Sequence, residues 1–401
     1  MKARRYDIDW LRVIAMLAVF IFHCTRFFDT EVWHLKNPEQ SELLFVLTGG
    51  LIWPWAMELF FLLSGVGTWY ALGSRRAGAY LWARVKRLLI PLYTVGLFVL
   101  LPPQFYFELR TNGGYDGTFW QSIPRYFAAF GPPRLTAWPD TLFPFPFSGH
   151  LWFLQYLFLV SLLSFPLLLY CKSAPGQRWV ARLAGWCDRR GGILLFVLPL
   201  AVVLIALRGL FEAERSWADF LWYAIFFVIG YLLPADERFT GAVKRHGWAC
   251  LALWLLALGG IGYLMLGLGY DRTPGQEPFS WIYVLYQILW SLSSWSAVVF
   301  LLSMGARYLT ANHPVLAYGN EAVLPFYLLH QTVILVVGFF VIRWNLGILP
   351  KFLIVAVVSF PLILVLYELL IRRFNPVRFL FGMRPKEPPA APGALPGRAP
   401  R

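Results

Sequence analysis

Charged residues are scarce in this chain of 401 residues, since Asp, Glu, Lys and Arg make up only 14% of it. Soluble domains usually carry about 25% charged residues, so the composition excludes an ordinary soluble protein. What the sequence has instead is a hydrophobic fraction of 59% and 19 tryptophans. Both are typical of a polytopic membrane protein, in which tryptophan collects at the two membrane surfaces.

Cysteine is also scarce, with four residues that form no CxxC pair: Cys24, Cys171, Cys187 and Cys250. Each lies in or beside an apolar segment, so we expect buried free thiols. This spacing suggests neither a disulfide framework nor a zinc site. A bound metal ion is therefore not expected.

About ten apolar runs are long enough to span a membrane. The sequence therefore predicts an all-α, polytopic membrane helix bundle of about ten transmembrane helices, formed by residues 1–384. Residues 385–401 are rich in Pro, Ala and Gly and are predicted to be a disordered cytoplasmic tail. The runs lie near 10–28, 51–72, 88–107, 151–170, 193–210, 219–234, 247–268, 281–304, 323–342 and 352–371.

The net charge of +14 does not indicate nucleic-acid binding, because the basic residues lie between the apolar runs and form no continuous patch. One set of alternate connections holds 24 Lys and Arg and the other holds 10. The positive-inside rule therefore predicts that both termini are cytoplasmic. The basic N-terminus and first run lack a cleavage site, so we expect a retained anchor in the cell inner membrane. The longest outer connection, residues 101–149, is expected to be functional or partly re-entrant.

Two polar residues interrupt the first apolar run, WLRVIAMLAVFIFHCTRFF: Arg12 near its start and His23 well inside it. On a helix this spacing amounts to about three turns and about 16 Å, so both side chains face the same side. Ionisable groups inside a span are costly and indicate function. The alternatives are a core histidine bonded to a neighbouring helix and an arginine that reaches back to the interface. A histidine in such a site suits general base catalysis on a hydroxyl.

The second run contains MELFFLLSG, in which Glu58 is expected within reach of His23. A carboxylate there would orient the imidazole and stabilise its protonated form. The alternative is a glutamate that faces the outer water. Ser64 and Gly65, at the end of this stretch, are expected to permit close helix contact rather than to supply a nucleophile.

Arg84 and Arg87 lie three residues apart on one helix face at the start of the third run. Two guanidinium groups at a membrane surface suit the binding of phosphates. The alternative is ordinary anchoring on anionic lipids.

The fourth run opens with His150 and Trp152. These residues are a weak sign of function, because tryptophan is expected at the membrane interface in any case. Before the ninth run, Asn320 and Glu321 are placed to cap its helix. His330 lies inside that run and again indicates function. Three intramembrane histidines raise the question of haem, but they lack the paired pattern of bis-histidine ligation across a bundle. No haem or other permanently bound cofactor is expected.

Together these stretches resemble the membrane-bound acyltransferase-3 family. Their order and spacing across residues 7–331 make the resemblance specific. Arg12 and His23 are similar to the family's Arg-x10-His pattern, and ELFFLLSG at 58–65 resembles its second-helix motif. RVKR at 84–87, followed by LLIP, resembles its Arg-x-x-Arg element. The later stretches HLWFL at 150–154 and FYLLH at 326–330 resemble further landmarks, and VWHLKNPE at 32–39 resembles a branch concerned with glucan biosynthesis.

The resemblance implies an acyl-CoA donor taken from the cytoplasm and transfer to a hydroxyl outside it. It implies His23 as the base, with Arg12, Arg84 and Arg87 handling the donor. Glu58 is placed in the catalytic group with His23 and Arg12, although family members vary at its position. Contacts with the substrates are expected from a wider set: Arg84, Arg87, His34, His150, Trp152, Glu321, Tyr327 and His330.

The sequence therefore predicts an integral-membrane O-acyltransferase that moves an acetyl- or succinyl-class group to an extracytoplasmic carbohydrate or glycan. Its expected partners are acyl-CoA, this acceptor and the lipid bilayer, with no nucleic acid. The rivals are a transporter or flippase with His23 as a proton relay, and a structural subunit of a glycan-synthesis complex. Few acidic residues and histidines at mid-membrane depth, and no internal repeat, disfavour the transporter.

Overall fold

The computed structural model describes residues 5–129, 149–211, 215–270 and 279–386. Within these ranges the regular elements are all helices, and no strand is found. The predicted all-helical membrane bundle is thereby confirmed. The bilayer favours such a fold because a helix satisfies its backbone hydrogen bonds internally.

The described residues form fourteen helical segments. Several contain a wider helical turn, and the segment over 42–74 has a short non-helical turn at 52–55. In chain order they are α1 Tyr6–Thr25, α2 Glu42–Ser74, α3 Ala77–Asn112, α4 Phe119–Ala128, α5 Gly149–Leu163, α6 Phe165–Lys172, α7 Ala174–Cys187, α8 Gly192–Leu207, α9 Trp217–Ala235, α10 Glu237–Gly267, α11 Trp281–Tyr308, α12 Pro314–Val341, α13 Ile348–Ile371 and α14 Asn375–Leu380.

Among the described residues, eight helices are long and apolar enough to cross a membrane. The pair α5 and α6, bent by 46°, counts as a ninth span if it crosses as one unit. Helix α8 is apolar but shorter. Each of the ten predicted runs therefore coincides with a helical segment. The described part of the structure has eight or nine candidate spans where ten were predicted, because the fourth run is bent and α8 is short.

Helices α1 and α12 lie at the centre of the bundle. Helix α1 packs against α12, α2, α11 and α13. In the most apolar window of α12, 72% of the residues are buried, against 28% in α10 and in α13. The last two helices therefore line the outside of the bundle, where lipid replaces protein contacts. Helix α12 encloses the polar residues His330, Gln331 and Thr332, and an enclosed polar group within a span is where an intramembrane site is expected.

Helices α2 and α9 cross at a pair of glycines. A Cβ atom on Gly65 would lie 2.0 Å from the carbonyl oxygen of Phe227, and one on Gly230 would lie 1.9 Å from that of Leu62. No side chain fits either position, so the backbones touch directly, as at other small-residue crossings in membranes. The expected role of Gly65 in close helix contact is confirmed.

The expected long loop over residues 101–149 is wrong for its first part. Helix α3 continues to Asn112, and α4 follows with a capping box between Thr118 and Gln121. Pro102 and Pro103 misled the sequence interpretation. They lie inside α3, directly after the wider-turn stretch Leu92–Leu100, and the helix continues through both of them. Residues 130–148 lie outside the described residues.

The predicted tail, residues 385–401, lies outside the described residues from position 387 onward. Its start is tied to α14, because the Lys386 N–H donates to Asn375 Oδ1 at 2.8 Å. The rest of the tail stays a prediction.

Candidate active site

Four of the six histidines in the sequence gather at one end of α1 and α12, which we call the His23 end. The rings of His23 and His330 meet edge to face, with centroids 4.9 Å apart. The rings of His330 and His150 meet in the same way at 5.1 Å. His34, on the loop after α1, lies within electrostatic reach of both His23 and His150. The sequence placed these residues on three separate runs and one loop, and the fold brings them together.

Backbone carbonyls fix the orientation of the two central rings. His23 Nδ1 lies 2.8 Å from the carbonyl oxygen of Val19, and His330 Nδ1 lies 2.5 Å from that of Tyr327. A carbonyl only accepts, so each Nδ1 carries the hydrogen and donates. Each Nε2 is therefore left with its lone pair. In this state His23 is ready to take a proton.

His150 has the opposite tautomer. Its Nε2–H donates to the carbonyl oxygen of Leu328 at 3.1 Å, and its Nδ1 accepts from Gln104 Nε2 at 3.4 Å. Gln104 also donates to Thr332 Oγ1 at 2.7 Å. The Tyr327 hydroxyl donates to the backbone carbonyl of His150. This network joins α3, α5 and α12 around the histidines and holds His150 neutral in one orientation.

His34 links the cluster to the surface. Its Nδ1 lies 2.5 Å from Glu108 Oε2, and its Nε2 accepts from Gln331 Nε2 at 3.0 Å. The Glu108 side chain is 42% exposed and that of His34 is 26% exposed, while Gln331 is buried. The pair therefore lies between water and the enclosed rings.

A buried ionic network holds the loop that carries His34. Asp29 is fully buried and accepts from Arg26 Nη1 at 2.8 Å and from Lys36 Nζ at 2.9 Å. Lys36 also donates to the carbonyl oxygen of Arg26 at 2.7 Å. Burial lowers the pKa of Lys36, although the contact with Asp29 opposes this shift. These contacts hold the loop, and removal of one partner would leave a buried charge less well compensated.

The opposite end of α1 carries arginines, and we call it the Arg12 end. Arg12 Nη1 donates to Asn320 Oδ1 at 2.9 Å and to Asp9 Oδ1 at 3.1 Å. Arg84 donates through Nη2 to Thr68 Oγ1 at 2.5 Å and through Nε to the Tyr80 hydroxyl at 3.0 Å. These contacts orient two guanidinium groups from separate helices.

Arg87 lies within electrostatic repulsion range of Arg12, Arg84 and Arg384. Like charges gathered in this way destabilise the fold unless an anion offsets them. The three arginines expected to handle the donor are thus brought together. The fourth, Arg384, is an addition that the sequence did not predict.

The segment after α14 is held in place by a turn and an ion pair. Gly382 has a φ of +69°, and a Cβ there would lie 2.7 Å from the carbonyl oxygen of Arg87. Buried Arg378 donates through Nε to the carbonyl oxygen of Arg384 at 2.8 Å and pairs through Nη1 with Glu321 Oε1 at 2.9 Å. The backbone therefore presents Arg384 beside Arg87.

Glu321 pairs with Arg372 and Arg378 at the Arg12 end. Its expected contact with a substrate stays a prediction. The expected capping by Asn320 and Glu321 is wrong. Helix α12 begins at Pro314, and His313 caps it by accepting from the Val315 N–H at 3.2 Å. Proline fits the first helical position, so the helix starts before the apolar run does.

Glu58 and Trp152 both contact α9. Glu58 is buried, and its Oε1 accepts from Trp222 Nε1 at 3.1 Å, while its Oε2 has no hydrogen-bond partner. The Trp152 ring lies 5.4 Å from that of Tyr223 and 6.5 Å from that of Phe61. Glu58 therefore contacts α9, whereas the expected contact was with His23.

Sequence reasoning missed four polar residues of the two ends: Gln104, Gln331, Thr332 and Arg384. Gln331 and Thr332 follow His330 directly, and two polar residues after an intramembrane histidine were a usable signal. The sequence around Gln104 and Arg384 contains no such signal, because only the fold brings these two residues to the site. In the described part of the chain, no group of three His, Cys, Asp or Glu residues is arranged to hold a metal ion.

Known proteins resemble this chain over most of its length. The acyltransferase-3 family, described as an acyltransferase domain, matches residues 5–368. Glucans biosynthesis protein C of Salmonella typhi is 25% identical over 405 residues, with 95% of both chains covered. The protein of that name from Salmonella paratyphi B is 24% identical over 396 residues, again with 95% of both covered. No solved structure matches this chain. The chain belongs to the acyltransferase-3 family of membrane proteins.

Proposed function

We propose that this acyltransferase moves an acyl group of the acetyl or succinyl class from cytoplasmic acyl-CoA to a hydroxyl of an extracytoplasmic glycan. One observation carries the proposal: α1 and α12 pair a cationic end with a histidine end. Arg12 meets Asn320 at the first, and His23 meets His330 at the second. The two ends lie about 16 Å apart along α1.

The distribution of charge orients the two ends. The Arg12 end carries both described termini, and the positive-inside rule places such basic segments in the cytoplasm. Coenzyme A, a cytoplasmic polyanion, would then meet the arginines directly. The His23 end would face the other side, where envelope glycans lie. The inner membrane follows as the site of action.

The arginines supply the donor site in this proposal. Guanidinium groups bind phosphate oxygens through paired hydrogen bonds, so Arg12, Arg84, Arg87 and Arg384 suit the phosphates of coenzyme A. The pantetheine arm would run along α1 toward His23. The arm would have to cover the separation of about 16 Å between the arginines and the base.

His23 Nε2 is the base. It takes the proton of the acceptor hydroxyl, so that an N–H bond forms as the O–H bond breaks. The oxygen then bonds to the thioester carbonyl carbon, and the C–S bond breaks. The coenzyme leaves as a thiolate, which takes back one proton to become the free thiol. The acceptor leaves as an ester.

The names of the relatives support the class of acceptor. The match to glucans biosynthesis protein C covers 95% of this chain and 95% of that protein, so the likeness is not confined to one end of the site. We therefore propose a glucan as acceptor. The identity of the acyl group depends on the space around the thioester.

A direct assay tests the proposal. The purified protein is placed in lipid vesicles with labelled acetyl-CoA or succinyl-CoA on one side and glucose oligosaccharides on the other. Label should appear as an ester on the oligosaccharide. Label that appears on no acceptor, together with passage of intact oligosaccharide across the vesicle membrane, would establish the transporter instead.

A further inference from the structure

Arg84 is held by a hydrogen-bond network that joins α2 to α3. Its Nε donates to the Tyr80 hydroxyl at 3.0 Å, and its Nη2 donates to Thr68 Oγ1 at 2.5 Å. Nη2 also lies 3.4 Å from the backbone carbonyl oxygen of Ser64. Tyr80 is 1% exposed and Thr68 is 0% exposed, so water does not compete for their hydroxyl groups. These contacts are therefore directed hydrogen bonds inside the protein.

The two hydroxyl groups satisfy every bond of this network at once. Thr68 Oγ1 donates to the Ser64 carbonyl oxygen at 2.8 Å. Its lone pairs are then left to accept from Arg84 and from the Tyr80 hydroxyl, which lies 3.1 Å away. The Tyr80 hydroxyl in turn accepts from Arg84 Nε. Loss of either hydroxyl would leave a donor of Arg84 without its acceptor.

Packing on a third helix fixes Tyr80 itself. Its ring stacks on that of Phe165 at the start of α6, with centroids 5.9 Å apart and planes 6° apart. Arg84 follows Tyr80 by one helical turn on α3, with its Cζ atom 5.3 Å from the centre of the same ring. Phe165 therefore fixes the ring whose hydroxyl holds Arg84.

The network leaves one nitrogen of the guanidinium group open. Within the described ranges, Arg84 Nη1 makes no hydrogen bond and is not sealed from solvent, whereas Nε and Nη2 are both engaged. A guanidinium group carries its N–H donors in one rigid plane, so fixing one edge also fixes the direction of the others. An anion can therefore meet Nη1 without reordering of the side chain.

We propose that Tyr80 and Thr68 are positioning residues of the donor site, which fix Arg84 so that its Nη1 meets a phosphate of acyl-CoA. The inference rests on the proposed function, in which Arg84 binds that phosphate. A flexible arginine would have to be ordered when the donor binds, and this ordering would lower the affinity. The two buried hydroxyl groups order the arginine before the donor arrives.

The test measures donor binding directly. Coenzyme A is titrated calorimetrically into the purified full-length protein in detergent, and kcat and KM for acetyl-CoA or succinyl-CoA are measured on the same samples. We expect Tyr80→Phe and Thr68→Val each to raise the Kd of coenzyme A and the KM for the donor about 3- to 10-fold, the range for ordering one long side chain. The kcat should change less than twofold, because neither hydroxyl contacts the reacting atoms. Tyr170→Phe, with its exposed ring on α6, is the control and should leave all three constants unchanged.

Two further variants separate positioning from a loss of packing. Thr68→Ser keeps the hydroxyl group and should retain wild-type binding. Adding Tyr80→Phe to Arg84→Gln should weaken binding less than twofold beyond Arg84→Gln alone, because the tyrosine acts through the arginine. A general loss of packing would instead weaken binding by the same factor in both backgrounds.

Unchanged coenzyme A binding in folded Tyr80→Phe and Thr68→Val would overturn the inference, and so would an equal effect of Tyr80→Phe with and without Arg84. The thermal unfolding midpoint identifies a variant that has lost its fold, and if Tyr80→Phe has done so, the two Thr68 variants decide. A wild type that binds coenzyme A but transfers no acyl group would overturn the proposed function alone, and the binding constants would still decide this inference. A wild type that does not bind coenzyme A would overturn both.

Discussion

Arg12 donates a hydrogen bond to Asn320 across 2.9 Å and so links α1 to α12 at one end of the bundle. Eleven residues further along α1, His23 meets His330, which lies ten residues beyond Asn320. Two parallel helices therefore share two polar contacts about three turns apart. The pair works as one unit that fixes both the distance and the relative orientation of arginine and histidine.

Replacing His23 should abolish acyl transfer. In His23→Ala the acceptor hydroxyl has no base, and we expect the rate to fall by about 10³-fold or more. The ring is partly exposed and its one direct hydrogen bond in the cluster is to its own helix, so the fold should survive. Labelled acyl-CoA turnover measures the rate, and the thermal unfolding midpoint checks the fold. A folded variant with wild-type turnover would contradict the assignment of the base.

Replacing Arg84 and Arg87 should weaken the binding of the donor and leave the binding of the acceptor unchanged. In the double variant Arg84→Gln with Arg87→Gln, we expect the apparent KM for acyl-CoA to rise about 100-fold or more, because charge-assisted hydrogen bonds to phosphate contribute about 1.5–3 kcal/mol each. The KM for glucose oligosaccharides should stay within twofold. Arg190→Gln, outside the arginine cluster, is the control for loss of a basic side chain. A change in the acceptor constant alone would mean that these arginines do not bind the donor.

Arg384→Gln should have a smaller effect of the same kind. Its guanidinium group is exposed and acts on the donor through charge, so we expect a two- to fivefold rise in KM for acyl-CoA that disappears at high salt. The rise in KM for acyl-CoA caused by replacing Arg84 and Arg87 should persist at high salt, because directed hydrogen bonds contribute to it. Lys386→Gln, two residues away, is the matched control. Steady-state assays from low to high ionic strength give the comparison, and a salt-independent Arg384 effect would contradict it.

The sequence predicted the helices well, because apolar length alone specifies a span. It also placed Arg12 and His23 on one face, since helical periodicity requires nothing from the rest of the fold. The Arg84–Arg87 spacing likewise indicated a cationic face that the structure brings beside Arg12. Local regularities of this kind can be read without knowing which helices are neighbours.

Contacts between helices could not be read in this way. Glu58 was expected to orient His23, but the rotation of α2 directs it to Trp222 on α9. Asn320 and Glu321 were expected to cap the ninth run, but α12 begins earlier, at Pro314, and Glu321 pairs with Arg372 and Arg378. Which side of a helix faces which neighbour depends on packing across the whole bundle. One sequence does not contain that information in local form.

The crossing of α2 and α9 gives the most direct test of the packing. We expect Gly65→Ala and Gly230→Ala each to destabilise the protein by about 1–3 kcal/mol or more, because a methyl group at either position would overlap a backbone carbonyl of the other helix. Gly67→Ala, on the same helix, is the matched control, since nothing lies within 4 Å of its Cβ position and alanine favours helix. The thermal unfolding midpoint in detergent measures all three. Equal midpoints for Gly65→Ala and Gly67→Ala would show that the two backbones do not touch at Gly65. The position of Glu58 against Trp222, about two helical turns away, would then also have to be revised.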